Sequence, residues 1–411
     1  MKILDLTEFY SEKGGVRNHL DQKGRILRQL AHRHVIVAPG GEDGESELRP
    51  SLGTSQVPDS GSARVVRIAG PTLPYDANYH LLWRLGRVRD IVTREKPDVL
   101  QINSPYLAAV SLRRLPPDAV GIKTFWWHAD FIDTYAVERL SRYVGAGASD
   151  RMVRPLWAWV RSIGAGCDAT LAASRQQVDK LSEHGVPRVY HVPFGIDKDV
   201  FAPEQRSETS RSELLGPAAG DALLLVAMGR LSVEKQWPVV LEGFTQFAAR
   251  RSARLVVYGD GPERQHLEQR WGGHPAVRFM GFEPDARKIA AALASADAFV
   301  HGCPFETFGL SVAQAISCGS PVVVPDRGGA AELAQPDFAE LYRAGDPEAF
   351  SAAMERLFAR DAATLRAAAL RGREGIFGAV EQVKRTVDVY RELLAHRAAN
   401  GYTARASHPH A

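Results

Sequence analysis

One stretch of this sequence, residues 303–325, combines residue types and spacing that suit phosphate binding. Apolar positions recur with a helical period from Leu310 to Ile316 and Gly319 then interrupts the pattern, which predicts a loop, a short helix, a tight turn and a strand. Gly309 falls where the helix would begin. The first N–H groups of a helix lack intrahelical partners and lie at the positive end of its dipole, so a phosphate can bind there with no side chain in the way.

Two polar residues flank the same helix. Glu306 precedes its first turn, and Gln314 lies eight residues later, which brings both near one face of the helix. Such a pair can hold the two ends of one ligand. Alternatively, Glu306 caps the helix and Gln314 is a solvated polar residue, and these residues alone leave both interpretations open.

The length of 411 residues exceeds what one ordinary hydrophobic core supports and favours two domains. With 45% hydrophobic and 24% charged residues, the composition is that of a soluble globular protein. No run approaches the roughly 20 apolar residues that a membrane span needs. The first residues predict a strand rather than a secretory signal, because Asp5 and Glu8 interrupt them. We therefore expect a cytoplasmic protein.

Charge and cysteine content argue against several kinds of site. A net charge of +3 suits anionic ligands or headgroups without indicating a nucleic-acid partner. Cys167, Cys303 and Cys318 form no Cys-x-x-Cys pair, and no His lies at zinc-ligand spacing. We therefore expect neither a disulfide framework nor a structural metal.

The chain alternates short apolar strands with helical stretches, which is typical of parallel sheets covered by helices. The predicted strands span 2–6, 34–39, 64–68, 98–102, 121–125, 168–172 and 189–192 in the first half, and 222–228, 254–258, 277–279, 298–301 and 321–324 in the second.

A segment rich in Pro, Ser, Glu and Gly, residues 201–221, indicates a linker between the two halves. We therefore predict an α/β protein with doubly wound domains over 1–200 and 222–376, whose facing edges form a ligand cleft. A last helical pattern over 377–395 is long enough to pack back across the first domain. A flexible tail is expected over 396–411.

Seven motifs, in order along nearly the whole chain, resemble those of the retaining glycosyltransferases of family GT4, which have the GT-B fold of two facing Rossmann-like domains. They are Gly14-Gly15, His128, Val192-Pro-Phe-Gly-Ile-Asp197, Gly229-Arg-Leu-Ser-Val-Glu-Lys235, Tyr258-Gly-Asp-Gly-Pro-Glu263, Glu306-Thr-Phe-Gly-Leu with Gln314-Ala-Ile-Ser-Cys-Gly, and Gly328-Gly-Ala-Ala-Glu332. Any one motif is weak evidence, but seven in the expected order are specific.

The resemblance implies a site for the diphosphate of a nucleotide sugar. In the family, the positions of Arg230 and Lys235 clamp the diphosphate, and the backbone N–H groups of Phe308, Gly309 and Leu310 meet its distal phosphate. Two cations at the carboxyl edge of a sheet suit this role, because they can neutralise the charge of a diphosphate leaving group.

The resemblance also assigns residues to the sugar and the ribose. Glu306 would bind hydroxyls of the transferred sugar, and His128 would lie near the reacting bond. The ribose-binding glutamate of the family is Gln314 here, which offers one acceptor oxygen instead of two, so we expect weaker ribose anchoring. Gly14 and Gly15 follow the first strand and let the backbone approach a diphosphate or an acceptor.

Two pairs of carboxylates resemble catalytic or metal sites. Asp130 and Asp133 follow His128, where a helix start accounts for acidic residues. Asp197-Lys-Asp199 fits the Asp-x-Asp pattern of metal-dependent glycosyltransferases of the other common fold, but it belongs to the hinge motif. With two cations and a helix terminus to neutralise charge, we expect no metal and no other cofactor.

The function that the resemblance implies is transfer of a hexose-type sugar from a GDP- or UDP-sugar to an acceptor hydroxyl, with retention at the anomeric carbon. The expected partners are this donor and a small-molecule, glycan or lipid-linked acceptor. Two alternatives stay open. One is another GT-B reaction, such as that of an epimerase or a phosphorylase, for which no catalytic anchor is visible. The other is a non-catalytic nucleotide-sugar-binding protein, which only Gln314 favours.

A basic and aromatic segment, residues 139–161, fits either contact with anionic lipid headgroups at the inner membrane face or core packing. It carries Arg142, Arg151, Arg154, Trp157, Trp159 and Arg161. Because Trp157 and Trp159 lie two residues apart, one narrow helix face cannot bury both. We therefore favour core packing over peripheral membrane contact.

Overall fold

The computed structural model describes residues 1–11, 15–48, 61–73, 76–111, 115–116, 118–137, 140, 143–217 and 221–406. The described strands form two main sheets, one from each half of the chain, and a small hairpin. The predicted α/β class with two Rossmann-like domains is confirmed.

The first sheet has eight strands among the described residues, in the order β10-β9-β8-β7-β1-β2-β4-β3. Its pairs are parallel except for β3, which runs antiparallel to β4. Strands β5 and β6 form the separate hairpin. The ranges are β1 Lys2–Leu6, β2 Arg33–Gly40, β3 Gly44–Glu47, β4 Ser62–Ala69, β5 Thr72–Leu73, β6 Asp76–His80, β7 Val99–Ile102, β8 Ile122–Trp127, β9 Ala169–Ala172 and β10 Val189–His191.

The second sheet has six described strands, all parallel, in the order β13-β12-β11-β14-β15-β16. Their ranges are β11 Leu223–Met228, β12 Ala253–Tyr258, β13 Val277–Gly281, β14 Ala298–Val300, β15 Val322–Pro325 and β16 Ala339–Tyr342. The central strands are nearly fully buried, as their continuous apolar sequences require.

Helices connect these strands. Their ranges are α1 Gly15–Gln29, α2 Leu85–Glu95, α3 Leu107–Ser111, α4 Ala146–Met152, α5 Arg154–Ala165, α6 Arg175–Glu183, α7 Glu208–Leu215, α8 Trp237–Ala248, α9 Arg264–Trp271, α10 Ala286–Ser295, α11 Leu310–Ser317, α12 Gly329–Leu333, α13 Pro347–Phe358, α14 Ala362–Gly372 and α15 Ala379–Ala406. A π-helical segment spans Ile132–Val137, and 3₁₀ turns span Pro203–Gln205, Val233–Lys235 and Arg373–Gly375. No helix in the described ranges is both long enough and apolar enough to cross a membrane.

Every strand predicted from the sequence occurs, with its ends shifted by at most two residues. The strands that sequence analysis missed are β3, β5, β6 and β16. Strand β3, with the sequence Gly-Glu-Ser-Glu, is exposed at the sheet edge and has no apolar pattern to detect. Strand β16 has only four residues, one of them a glutamate.

The segment predicted as a linker, residues 201–221, contains helix α7 in its middle part. Ser207 caps this helix by accepting a hydrogen bond from the N–H of Ser210 at 3.2 Å. Leu214 and Leu215 are buried, and Arg211 donates to the carbonyl of Ser295 at 3.0 Å. The capping serine and the leucine pair therefore fix the segment to the second domain.

Helix α15 packs against α1 and β8 of the first domain, as predicted. Tyr390 is fully buried in this contact. The helix continues to Ala406, so the boundary predicted at 395 was too early. Arg397, Ala398 and Ala399 are good helix formers and support the longer helix, although its last turns include Gly401. The last residues of the expected tail, 407–411, lie outside the described ranges.

A charged cluster is buried under the centre of the first sheet. The Asp5 carboxylate of β1 lies 2.8 Å from Lys23 Nζ of α1 and 2.6 Å from His34 Nε2 of β2. All three side chains are at most 1% exposed. Burial alone would raise the pKa of Asp5, but Lys23 and His34 hold it far below its usual range. This contribution to stability is present above the unfolded-state pKa of about 3.9 and is lost as the pH falls.

Replacing Lys23 by methionine should destabilise the protein by about 3–5 kcal/mol, because the Asp5 carboxylate stays buried without its main counter-charge. The free energy of unfolding from urea titrations measures the loss. The matched control is Arg391→Met, which breaks the exposed pair with Asp388 and should leave the transition nearly unchanged. Equal effects of the two substitutions would contradict a structural role for the buried pair.

Candidate functional site

A cavity of ≈ 1180 Å³ lies between the two domains. It brings together nine of the residues predicted to form the site. They are Gly15 and His128 from the first domain, and Arg230, Lys235, Glu306, Phe308, Gly309, Leu310 and Gln314 from the second. The other predicted site residue, Gly14, lies outside the described ranges.

Gly309 is the N-cap residue of helix α11 at the wall of this cavity. Its φ of +95° lies in the left-handed region that glycine adopts without strain. A Cβ atom at this position would lie 3.1 Å from Cα of Ala330 in helix α12. Glycine is therefore required by the backbone and by the neighbouring helix. Because the cap residue has no side chain, the positive end of α11 suits an anion.

An ion pair lies beside this helix end. The Lys235 ammonium, in the turn after β11, contacts Oε1 of Glu306, and His301 Nε2 lies 3.3 Å from the same oxygen. Burial alone would raise the pKa of Glu306, but the Lys235 ammonium holds it well below its usual range. Burial opposes the charge on Lys235, yet nearby Cys303 and Glu306 raise its pKa above the ordinary value. Both side chains therefore carry full charge at neutral pH.

Arg230 reaches from the second domain toward the first. It follows strand β11, and its guanidinium carbon lies 5.9 Å from the ring centroid of Tyr79 in hairpin strand β6. The Arg230 carbonyl accepts a hydrogen bond from Trp237 Nε1 at 2.8 Å, which fixes the backbone of the turn. Arg230 and Lys235 thus supply two cations at the carboxyl end of β11, on the same cavity as Gly309.

His301, Cys303 and Glu306 place potential metal-ligand atoms within 4.8 Å of one another. The Lys235 ammonium contacts the carboxylate of this group, so an incoming cation would meet a positive charge at close range. Burial also raises the pKa of the Cys303 thiol to about 12, which keeps it in the protonated form that binds metals poorly. The charge balance thus favours an anionic ligand over a cation here.

His128 follows strand β8 on the opposite side of the cavity. Its ring stacks on Trp126 and Phe194, with centroid distances of 5.5 and 5.6 Å. Burial, with help from nearby His19, lowers its pKa well below the usual value, so the ring is neutral. Its carbonyl oxygen accepts a hydrogen bond from Thr307 Oγ1 at 2.9 Å, which links the two domains next to the Gly309 helix.

Helix α1 begins at Gly15 and forms the first-domain wall of the cavity. A Cβ atom at Gly15 would meet no atom within 4 Å, so the protein itself does not demand glycine there. The side chains that α1 contributes to the wall were missed by sequence analysis. They are Asn18, Asp21, Gln22 and Arg25, and His19 lines the wall beside them. These residues recur at helical spacing along the sequence, and that pattern could have predicted that they share one face of α1.

Two pairs of carboxylates resembled catalytic or metal sites in the sequence, and the structure shows both pairs in contacts within the protein. Lys180 of α6 forms ion pairs with both Asp130 and Asp133. Asp197 Oδ1 accepts hydrogen bonds from the N–H groups of Asp199 and Val200, at 3.1 and 3.2 Å. Asp197 therefore caps its own turn, as an aspartate in a hinge loop commonly does.

The tryptophans of segment 139–161 pack inward. Trp157 is buried and stacks on His184 with a centroid distance of 3.6 Å. Trp159 is half-buried and donates a hydrogen bond to the carbonyl of Pro105 at 2.6 Å. The exposed large apolar residues in the described part of this segment are Tyr143, Val144 and Met152. The beginning of the segment, including Arg142, lies partly outside the described ranges.

Family models match both halves of the chain. The model described as Glycosyltransferase Family 4 matches residues 13–200, and that described as Glycosyl transferases group 1 matches residues 222–360. The unmatched stretch between them, 201–221, contains helix α7.

Two relatives are similar over most of their length. A GDP-mannose-dependent alpha-(1-6)-phosphatidylinositol dimannoside mannosyltransferase of Mycobacterium tuberculosis is 30% identical over 334 residues, which is 79% of each chain. A GDP-mannose-dependent alpha-mannosyltransferase of Corynebacterium glutamicum is 28% identical over 343 residues, covering 81% of this chain and 74% of the relative. These names favour sugar transfer over the epimerase and binding-protein alternatives.

Among solved structures, a sucrose-phosphate synthase of Thermosynechococcus elongatus superimposes with a TM-score of 0.74. The match covers 96% of this chain and all of that one, at 18% identity. At this identity the similarity shows the fold, with two Rossmann-like domains facing a cleft.

Replacing Gly309 by alanine should lower stability by about 1–2 kcal/mol, because an L-residue is strained in the left-handed region. The new methyl group should also displace α12 and weaken binding of pyrophosphate, measured by titration calorimetry. Gly273→Ala is the matched control, since a Cβ atom there has open space. Unchanged pyrophosphate affinity in a folded Gly309→Ala protein would refute the helix end as the anion site.

Proposed function

This chain belongs to glycosyltransferase family 4, and on that premise we propose that it moves a hexose from a nucleotide diphosphate sugar to an acceptor hydroxyl, with retention at the anomeric carbon and without a metal ion. The donor we propose is GDP-mannose, because both relatives described above are named as dependent on it. A UDP-hexose is the alternative donor.

The observation that carries this proposal is the convergence of Arg230, Lys235 and the Gly309 helix end on one cavity. Two cations and the positive end of a helix neutralise the charge that develops on a departing diphosphate. Such preorganised charges stabilise the transition state most where water is excluded, and a cleft between two domains provides that environment.

Lys235 and Glu306 change partners when the donor binds. The ammonium turns to the phosphate oxygens, and the carboxylate that it leaves accepts hydrogen bonds from sugar hydroxyls. Gln314 in helix α11 hydrogen-bonds the ribose, with one acceptor oxygen. Gly15, at the start of α1, lets the first-domain backbone approach the substrates.

The configuration at the anomeric carbon is retained when the acceptor hydroxyl attacks that carbon from the same face that the diphosphate leaves. The acceptor hydroxyl bonds to the anomeric carbon as the glycosidic bond to phosphate breaks, and its proton passes to the departing phosphate oxygen. No carboxylate nucleophile is needed in this scheme, and the acidic groups near the site have other partners. Glu306 binds the sugar hydroxyls once the donor has drawn Lys235 away from it, and Asp197 caps its own turn. His128, neutral and packed by aromatic rings, lies opposite the phosphate site and contacts the sugar.

No divalent cation is required, because the charges that it would supply are already in place. Among the described residues, one group of side chains could hold a metal ion, namely His301, Cys303 and Glu306. The Lys235 ammonium already contacts the Glu306 carboxylate of this group. Asp197 and Asp199 form a capped turn instead of a nucleotide-metal site.

Lys235→Ala should lower kcat for mannose transfer by about 10²–10³-fold, the usual cost of losing one charged group at a developing oxyanion. Release of GDP from GDP-mannose, with UDP- and ADP-sugars run in parallel, provides the assay. Lys288→Ala, which alters an exposed helix residue, is the control. Full activity of Lys235→Ala would refute the clamp.

EDTA should leave the wild-type rate unchanged, because the proposed mechanism uses no metal ion. Loss of activity in EDTA would refute metal independence.

We further propose that the acceptor is lipid-linked and that the exposed residues Tyr143 and Met152 touch the lipid surface. Met152 lies between the exposed residues Arg151 and Arg154, whose charges suit anionic headgroups. The name of the mycobacterial relative specifies a phosphatidylinositol dimannoside, which is an anionic glycolipid.

Changing Tyr143 and Met152 together to serine should reduce co-sedimentation with vesicles that contain phosphatidylglycerol by several-fold, since each buried CH₂ group contributes about 0.8 kcal/mol. The control is Leu341→Ser, which removes an exposed apolar residue of the second domain. Equal vesicle binding by the double variant, the control and the wild type would contradict this surface.

A further inference from the structure

A chain of buried polar side chains runs from His128 to the C-terminal helix, beneath the floor of the cavity. Its members are His128, Asn103, Gln101 and Tyr390, and the Asp5–Lys23–His34 cluster anchors it. Except for His128, none of these residues lines the cavity. The chain therefore acts on the site only through the histidine.

The orientation of the Asn103 amide is determined by Asp5. An ionised carboxylate only accepts hydrogen bonds, so the group 2.9 Å from Asp5 Oδ1 must be the Asn103 amide nitrogen. The Asn103 oxygen then faces His128 Nε2 at 2.7 Å. Gln101 Nε2 donates to the same oxygen at 2.9 Å and to Asp5 Oδ1 at 2.8 Å. Tyr390 donates its hydroxyl to Gln101 Oε1, which fixes that amide as well.

This arrangement determines which nitrogen of His128 carries the proton. An amide oxygen can only accept, so His128 Nε2 must be the donor. Burial lowers the pKa of His128 well below its usual value. Of the titratable groups around the ring, His19 and Lys23 of α1 lower this pKa further, and Asp5 of β1 opposes them. A neutral ring with Nε2–H leaves Nδ1 as a hydrogen-bond acceptor.

We propose that Asn103 is a positioning residue for sugar transfer, because its amide oxygen holds His128 in the Nε2–H tautomer and so presents Nδ1 to a hydroxyl of the hexose or of the acceptor. Asp5 orients Asn103. The chain is completed by Gln101 of β7 and by Tyr390 of α15. The ring is also held by stacking on Trp126 and Phe194, so Asn103 selects the tautomer more than the position of the ring. This inference rests on the proposed sugar transfer.

The tautomer can be measured in the unmodified protein. In protein labelled with ¹⁵N-histidine, the ring nitrogen shifts of His128 should show a protonated Nε2 and an unprotonated Nδ1, unchanged between pH 6 and 8. A His128→Gln protein identifies the signal. A protonated Nδ1, or a ring that titrates near pH 6.5, would overturn the proposal whether or not any sugar is transferred.

The variant test uses Asn103→Leu, which keeps the volume and removes the acceptor oxygen. We expect kcat to fall about tenfold or more, with GDP affinity within about twofold of wild type because the diphosphate clamp lies in the other domain. The His128 signal should become a mixture of tautomers. The matched control is Thr386→Val, which removes a buried hydroxyl of α15 that is hydrogen-bonded to Gln382 of the same helix, outside the chain of Asn103, and should change kcat by less than about twofold.

The outcomes separate the two proposals. If the wild type transfers no sugar from any donor, the proposed function fails, and the ring nitrogen shifts still decide the geometry. If transfer occurs and the folded Asn103→Leu protein keeps its kcat or its single tautomer, the positioning role fails and the function stands. A larger loss in Thr386→Val than in Asn103→Leu would also overturn the proposal.

Discussion

The partly buried charge of Lys235 constrains the whole site, because an ammonium in a cleft costs free energy unless a counter-charge or a set of acceptors surrounds it. In the structure that partner is Glu306. In the proposed reaction a diphosphate replaces it with phosphate oxygens and leaves the Glu306 carboxylate to bind hydroxyls. That exchange would couple recognition of the sugar to occupation of the phosphate site, and a divalent cation would compete with a charge that the chain already supplies.

The same loop region that forms the phosphate site also joins the two domains. Thr307, two residues before Gly309, donates to the carbonyl of His128. Helix α12 packs on Gly309, and its Glu332 accepts hydrogen bonds from the N–H groups of Arg175 and Gln176 at the start of α6. A carboxylate at a helix N-terminus is favourable for the reasons that make the Gly309 helix end suit a phosphate. The contact between the domains and the proposed donor site therefore share one structural unit.

The sequence predicts the sheets well, because buried parallel strands are continuous apolar runs between helices. It predicts the phosphate site through Gly309, whose position at a helix start is visible locally. It does not predict Asn103, since its partners Asp5, Gln101 and His128 come from three different strands or strand ends, and no spacing along the chain reveals their meeting. Asp5 is visible only as a charge that interrupts an apolar strand, although the structure makes it the centre of a network.

The proposed donor and acceptor sites differ in their chemistry. The second domain offers cations and a helix end, which would hold the donor mainly by charge. On the first-domain side, α1 presents Asn18, Asp21, Gln22 and Arg25, whose charges cancel, and His128 is neutral. Hydrogen bonds and shape must therefore select the acceptor there. Charged residues around a phosphate recur as short motifs, whereas a neutral polar wall has no such signature, which is why the sequence identifies the type of donor and leaves the acceptor open.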